Sequence, residues 1–349
     1  MDFKKFDSLI SPLCSESMEA AKAKWDNVAK PLGSLGRFEE VVTQIAGIFG
    51  TPDVRLDKKG VLVLCGDNGV LAQGVAMTPG EVTAIMAEFI ADGRSSVCRM
   101  AKTVGADVIA VDMGMFRRVN TEKLLDRRVA DGTNDFTTGA AMTAAQVLQA
   151  VNTGIELVKS YSEQGYKILA TGEMGIGNTT TSSAIAAVLL GLDPRDVTGR
   201  WVGLSDEGLA RKTAAVKKGV LVNSPDKNNA LDVLQKLGGF DIAGLTGVCI
   251  GGAICRIPIV VDGFISSVSA LLAAKLCPNT MGFIFPSHLS AEPAGRLVLK
   301  ALGFEPFITA DMRLGEGTGA VCMFPLLDMM LSVYHNACTY ADIGIKTGK

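Results

Sequence analysis

Short, wholly apolar runs recur along the chain at 61–64, 108–111, 168–170, 257–261 and 282–285, and the stretches between them repeat apolar residues at helical spacing. Runs this short, rich in Val, Ile and Leu, read as strands buried on both faces, the pattern of a parallel sheet covered by helices. Two of the intervening helices carry start signals. Thr78-Pro79-Gly80-Glu81 combines a Thr N-cap, Pro at the first helical position and Glu at the third, and Thr143-Ala144-Ala145-Gln146 has the form of a capping box. No Pro/Ser linker, charge run or repeat divides the chain, and its glycines are spread through it at turns. The pattern predicts one continuous α/β array over 30–326, with 1–29 and 327–349 forming a small helical domain beside it.

Polar side chains collect where the predicted strands end: Asp67, Glu173, Asp262, Ser287 and His288. Ligands bind open parallel sheets outside the carboxyl ends of the strands, so these residues are expected to face one crevice.

Composition narrows what that crevice can do. With 48% hydrophobic and 20% charged residues, a chain of 349 can bury a large core. The net charge of -2, with scattered basic residues, offers no stripe for a phosphate backbone and argues against nucleic-acid binding. The stretches 247–265 and 319–335 are apolar enough to suggest membrane spans. Arg256, Pro258 and Asp262 interrupt the first, and Pro325 and Asp328 the second, so buried elements are expected instead. The N-terminal residues lack a signal-peptide apolar region, and a cytoplasmic location is expected. The eight cysteines stand without a C-x-x-C pair and are expected as free thiols. His288 and His335 are the only histidines, which removes most routes to a His-rich metal site or a Ser-His-Asp triad. Any chemistry falls to carboxylates and backbone.

Two glycine-rich segments carry such carboxylates. Residues 172–180, Gly-Glu-Met-Gly-Ile-Gly-Asn-Thr-Thr, follow a predicted strand and open a helix, a geometry that suits a phosphate. The segment is neither a Walker A loop nor a G-x-G-x-x-G fingerprint, and close packing is the alternative reading. Glu173 is an acid where a tight turn needs none and could hold ribose hydroxyls. Residues 313–320, Arg-Leu-Gly-Glu-Gly-Thr-Gly-Ala, place Glu316 among glycines before an apolar helix. Partial burial there would raise its pKa toward that of a general base, although a first-turn Glu also complements a helix dipole. Lys212, in the capped helix opening at Ser205, could neutralise a phosphate or belong to a solvated cationic face. Asp262 closes an apolar strand and must find a partner, in a loop or a substrate. His288 could bind a ligand or be a satisfied structural histidine.

Taken in order, residues 30–37 (Lys-Pro-Leu-Gly-Ser-Leu-Gly-Arg), 66–70 (Gly-Asp-Asn-Gly-Val), 172–180, 262–265 (Asp-Gly-Phe-Ile), 287–293 (Ser-His-Leu-Ser-Ala-Glu-Pro) and 313–319 resemble the nicotinate-nucleotide:dimethylbenzimidazole phosphoribosyltransferase family. The match runs from about Trp25 to near the C-terminus. The resemblance implies a doubly wound parallel-sheet Rossmann-like domain with a small helical domain, a dimer, an active site in the crevice, and neither metal nor redox cofactor. It implies that Glu316 takes a proton from the incoming base. It also implies that Glu173, Gly175, Gly177, Asn178, Lys212, Asp262 and Gly315 hold the substrates, with Met86, Met174 and Ile85 able to sandwich a flat base. The implied reaction moves ribose 5-phosphate from nicotinate mononucleotide to an aromatic base. Attack at C1′ opposite the departing nicotinate inverts a β-nucleotide to an α-riboside.

The chain departs from the family's pattern in places. Asn68 stands for a usual His, Ile85 for Gln, Asp135 for Asn, Trp201 lies in a loop of usual small residues, and Ala294-Gly295 replaces Gly-His. Loss of an amide at Ile85 favours an acceptor with fewer polar atoms, so a phenol such as p-cresol stands beside dimethylbenzimidazole. The family has a phenol-using heterodimeric branch, and a partner-dependent or non-catalytic subunit is the alternative reading. A Rossmann-type dehydrogenase is disfavoured by the missing fingerprint, and a purely structural dimer leaves Glu173 and Glu316 unexplained.

Overall fold

The computed structural model describes residues 3–200 and 203–344. Its sheet is formed by β1 (Lys59–Gly66), β2 (Ala106–Gly114), β3 (Leu125–Asp126), β4 (Ile168–Met174), β5 (Ile259–Val261) and β6 (Ile284–Pro286). All pairings are parallel and the order is β3-β2-β1-β4-β5-β6. The chain thus winds outward from β1 in one direction and from β4 in the other. This is the doubly wound arrangement, with its switch point between β1 and β4.

Alternation along β1 sets the two faces. Leu64 meets the Phe240–Cys255 helix at Gly244, whereas Val61 and Val63 meet the backbone around Gly317 and Gly172. Every residue of β1 is buried, as expected of a strand covered on both sides. On the Leu64 side, the Phe240–Cys255 and Ala144–Glu163 helices cross with their backbones touching. A Cβ on Gly247 would strike the Val151 carbonyl, and one on Gly154 the Gly244 carbonyl.

The predicted strands appear with shifted ends. Residues 257–258 lie before β5, and Pro278–Phe283 is a 3-10 turn, so β6 begins at Ile284. The two-residue edge strand β3 has no signal in the apolar pattern. The Thr143 capping box forms, with Gln146 N–H donating to Thr143 Oγ1 at 3.2 Å and Thr143 N–H to Gln146 Oε1 at 2.8 Å. The expected cap at Thr78 does not. The Glu81–Ala91 helix starts after Gly80 without a side-chain cap, because Pro79 and Gly80 first make a turn in which their carbonyls accept from Val82 and Thr83. Thr78 lines the cavity described below.

The N-terminal helices pack with the end of the chain. Trp25 packs on Tyr334 with ring centroids 4.9 Å apart, Tyr334 O–H donates to the Pro52 carbonyl, and Val28 bridges to Thr339. The Thr318–Asn336 helix that carries Tyr334 runs without a break through 326–327. One helix therefore joins this cluster to the sheet, and the expected boundary falls inside it. The first apolar stretch is largely buried, whereas the second is a helix buried on one side with Met329 exposed, and among the described residues no helix is long and apolar enough to cross a membrane. The eight cysteines are free thiols.

Backbone contact at the helix crossing leaves no room for a side chain at its glycines. Gly247→Val is expected to lower stability by about 3 kcal/mol or more through overpacking, read as a reduced denaturation midpoint. Gly139→Ala, where an added Cβ would meet no atom within 4 Å, should change it far less.

Candidate active site

A cavity of about 290 Å³ opens at the carboxyl ends of β4, β5 and β6, beside the switch point. The structure brings to its wall Glu173, Met174, Gly175, Gly177, Asn178, Lys212, Asp262, Gly315, Glu316 and Met86, and also His288. Ile85 is not on the wall. One residue before Met86 on the Glu81–Ala91 helix, it is 39% exposed. Asp67 and Ser287 do not reach it either. Asp67 accepts from the Phe116 N–H at 2.7 Å, and Ser287 donates to the Val261 carbonyl at 2.7 Å. Trp201 lies outside the described residues.

Glu316 owes its position to bare backbone. Gly172 in β4 and Gly317 have no side chain between them, so the Glu316 main chain lies directly against the strand. Glu316 itself adopts φ +61°, a left-handed conformation that a non-glycine residue seldom holds without surrounding constraint. Two contacts supply that constraint after the turn. Thr318 Oγ1 donates to the Gly315 carbonyl at 2.9 Å, and Asp262 Oδ1 accepts from the Ala320 N–H at 3.0 Å. Asp262 thus secures the first turn of the Thr318–Asn336 helix while facing the cavity. The Glu316 carboxylate accepts from the Val97 N–H at 3.3 Å. Burial raises its pKa and that hydrogen bond opposes the rise.

Glu173, at the end of β4, is fully enclosed. Burial lifts its carboxyl to about 8, aided by the charges of Asp241, Asp262 and Glu316 and opposed by the amide of Asn178. The Asn178 amide donates to both Glu173 and Asp241, the latter at 3.0 Å. Asp241 is itself raised to about 6 by burial. Glu173 therefore carries a proton at neutral pH and can donate as well as accept.

Another part of the cavity wall is suited to an anion. Lys212 is 1% exposed, with Nζ donating to Thr179 Oγ1 at 2.9 Å and to the Gly199 carbonyl at 3.0 Å. Its environment is buried, not the solvated face that its position on the helix also allowed, and burial lowers its pKa to about 8 against the pull of Glu292. The N-termini of the Asn178–Leu190 and Phe264–Leu276 helices open onto the same space. Neither is capped by a side chain, and the buried Ser266 hydroxyl on the wall has no hydrogen-bond partner among the described residues. Free N–H groups, a positive dipole end and a desolvated ammonium together fit a phosphate. Val75, Val82, Met86 and Leu314 give apolar walls. Among the described residues no cluster of His, Cys, Asp and Glu is arranged to hold a metal.

Asp241 and Val97 escaped the sequence reading. Asp241 follows Gly238-Gly239-Phe240 and opens an apolar helix, so the rule that singled out Asp262 applies to it equally. Val97 contributes only its backbone, which no residue type announces.

The comparisons with known proteins meet this geometry. A family model described as phosphoribosyltransferase matches residues 10–345. The chain is 44% identical over 337 residues to the nicotinate-nucleotide–dimethylbenzimidazole phosphoribosyltransferase of Acetivibrio thermocellus, covering 97% of this chain and 96% of that one. It belongs to the same family. The phosphoribosyltransferase of that name from Ruminiclostridium cellulolyticum is 40% identical over 349 residues, covering 100% of this chain and 99% of the relative. The crystal structure of CobT from Thermus thermophilus superposes with a TM-score of 0.90 at 36% identity, covering 95% of this chain and 100% of that chain. The chain is accordingly a phosphoribosyltransferase, and the doubly wound sheet is its family's fold.

The buried acid predicts a pH signature. The pKa of Glu173 is raised by folding from 4.5 to about 8. Its favourable contribution to stability is present below pH 4.5 and lost as pH rises through 8. Asp241 adds a decline of the same sign that ends near 6. Glu173→Gln is expected to lose less stability than wild type between about pH 5 and 8.5, by a few kcal/mol at about 1.4 kcal/mol per unit. Identical pH dependence of the two melting temperatures would exclude Glu173 as the responsible group.

Proposed function

We propose that this enzyme transfers ribose 5-phosphate from nicotinate mononucleotide to a cobamide lower-ligand base, giving an α-riboside phosphate and nicotinate. The observation that carries the reading is that one cavity wall holds both a carboxylate bound by a backbone N–H at Glu316 and an anion-ready stretch at Lys212 with two uncapped helix N-termini. The named substrates of the relatives enter here. The phosphate is assigned to the Lys212 end, the ribose to Glu173 and Asn178, and the acceptor to the apolar walls near Met86 and Leu314.

The C1′ to ring-nitrogen bond of the nucleotide breaks with its electron pair returning to the nicotinate ring, which neutralises the pyridinium and makes it a good leaving group. The unprotonated ring nitrogen of a benzimidazole forms the new bond to C1′ from the opposite face, and its other nitrogen gives its proton to Glu316. With a phenol, one oxygen both attacks and loses the proton. A raised pKa suits Glu316 to this role near neutral pH. Glu173, protonated, can bridge ribose hydroxyls without adding a second negative charge.

Ile85 is not among the residues lining the cavity, and dimethylbenzimidazole is the acceptor in the relatives' names. Assembly as a homodimer, or with a paralogous subunit, and action in the cytoplasm complete the reading. Sedimentation of the purified chain tests the first.

The deciding experiment is product formation by the purified chain alone with nicotinate mononucleotide and either dimethylbenzimidazole or phenol. Glu316→Gln is expected to lower kcat by about 10²–10⁴-fold with little change in KM. Lys212→Met should act mainly on KM for the nucleotide, by roughly 10–100-fold for a lost charge-assisted contact. A folded wild-type chain that is silent with both acceptors and active only with a paralogue would replace this reading with the partner-dependent one.

A further inference from the structure

The Glu316 carboxylate sits at the beginning of a helix to which it does not belong. The Ser96–Thr103 helix starts before β2, and its Val97 N–H points at Glu316 Oε2 at 3.3 Å. Ser95, the residue before that helix, is 4% exposed and caps it. Ser95 Oγ accepts from the Cys98 N–H at 3.5 Å and donates to Cys98 Sγ at 3.2 Å, while Cys98 Sγ donates to the Ile90 carbonyl at 3.3 Å. The helix start is thereby pinned to the end of the Glu81–Ala91 helix, whose Val82 and Met86 line the acceptor side of the cavity.

We propose that Ser95, by capping the Ser96–Thr103 helix, is the positioning device that fixes the helix start whose Val97 N–H orients the Glu316 carboxylate and holds it as an anion. The inference rests on the reading of Glu316 as the base. The side chain cannot orient itself, because its backbone is in the left-handed region and Gly315 and Gly317 on either side contribute no packing. Burial opposes its ionisation, and so does the charge of Asp262, which follows β5; the carboxyl of Glu173, in β4, lies nearby. His288 lies beyond Asp262 at 3.8 Å, and Arg313, in the same loop as Glu316, is a cation of the cavity wall. The Val97 N–H and a positive helix end favour the ionised form against burial and repulsion. Ser95 is a positioning residue: it acts through Glu316 and does not line the cavity.

The test is the pH dependence of kcat for wild type, Ser95→Ala, Ser95→Asp, Ser95→Thr and Glu316→Gln, with thermal denaturation of each. Ser95→Ala is expected to move the acidic limb of the profile up by about 0.5–1 unit. The rate should then fall severalfold below the limb and approach wild type above it, with KM for nicotinate mononucleotide within about twofold. Ser95→Asp keeps an oxygen to cap Cys98 N–H but adds a negative charge at the helix start that holds Glu316, and should move the limb at least as far. Ser95→Thr keeps the hydroxyl and the cap and should restore the wild-type limb. A uniform loss at every pH, or an unmoved limb in both Ser95→Ala and Ser95→Asp, overturns the positioning role. Glu316→Gln that retains wild-type activity overturns the assignment of the base instead, so the two failures are separable.

Discussion

Carboxyl groups from Glu173, Asp241, Asp262 and Glu316 lie buried together at the carboxyl edge of one parallel sheet, and a buried carboxyl without partners costs several kcal/mol. The surrounding structure is arranged around that cost. Asn178 supplies one amide to two acids, Asp262 is tied to a helix backbone, Glu316 to another, and Glu173 relieves the repulsion by keeping its proton. Each relief also serves as a link between elements. Asp262 joins the end of β5 to the Thr318–Asn336 helix, and Glu316 joins the start of that helix to the one beginning at Ser96.

The same cavity also holds a buried cation. Acids whose proton affinities are raised share its wall with Lys212, which is buried, has its own pKa lowered and lies within the field of Glu292. On the proposed assignment, a phosphate arriving beside Lys212 gives its desolvated ammonium an anionic partner and meets the uncapped helix ends, so the nucleotide is drawn in there and reacts near Glu316. Water, which would compete with the acceptor for C1′, is opposed by the apolar walls of the cavity. Strain at Glu316 fits this division of labour, since a residue with φ +61° persists only where its neighbours hold it.

Much of this was legible along the chain because the relevant signals are local. Apolar runs marked five of the strands, the Thr143 box marked a helix start, and the glycine-rich segments marked where backbone approaches backbone. Glu173, Glu316 and Asp262 stood out because an acid beside glycines or at the end of an apolar run needs an explanation. Thr78 shows the limit of such rules. Its cap pattern is correct in composition, yet Pro79 and Gly80 spend a turn before the helix begins, and Thr78 is left on the cavity wall. Ile85 shows another, because a helix turns by about 100° per residue. Neighbours on one helix point in different directions, so Met86 lines the cavity and Ile85 does not.

By itself, then, the sequence determined the alternation of strands and helices, the residue types able to do the chemistry and, through its ordered motifs, the family. Local patterning suffices for these, since side-chain periodicity, glycine and capping act over a few residues. Only the tertiary structure decided which acids meet, which one keeps its proton and which lysine is desolvated. Glu316 and Val97 are 219 residues apart along the chain, a separation that no local pattern spans. Proton affinity depends on burial and on the charges gathered within a few ångströms, and those distances exist only after the two halves of the sheet have closed around the switch point.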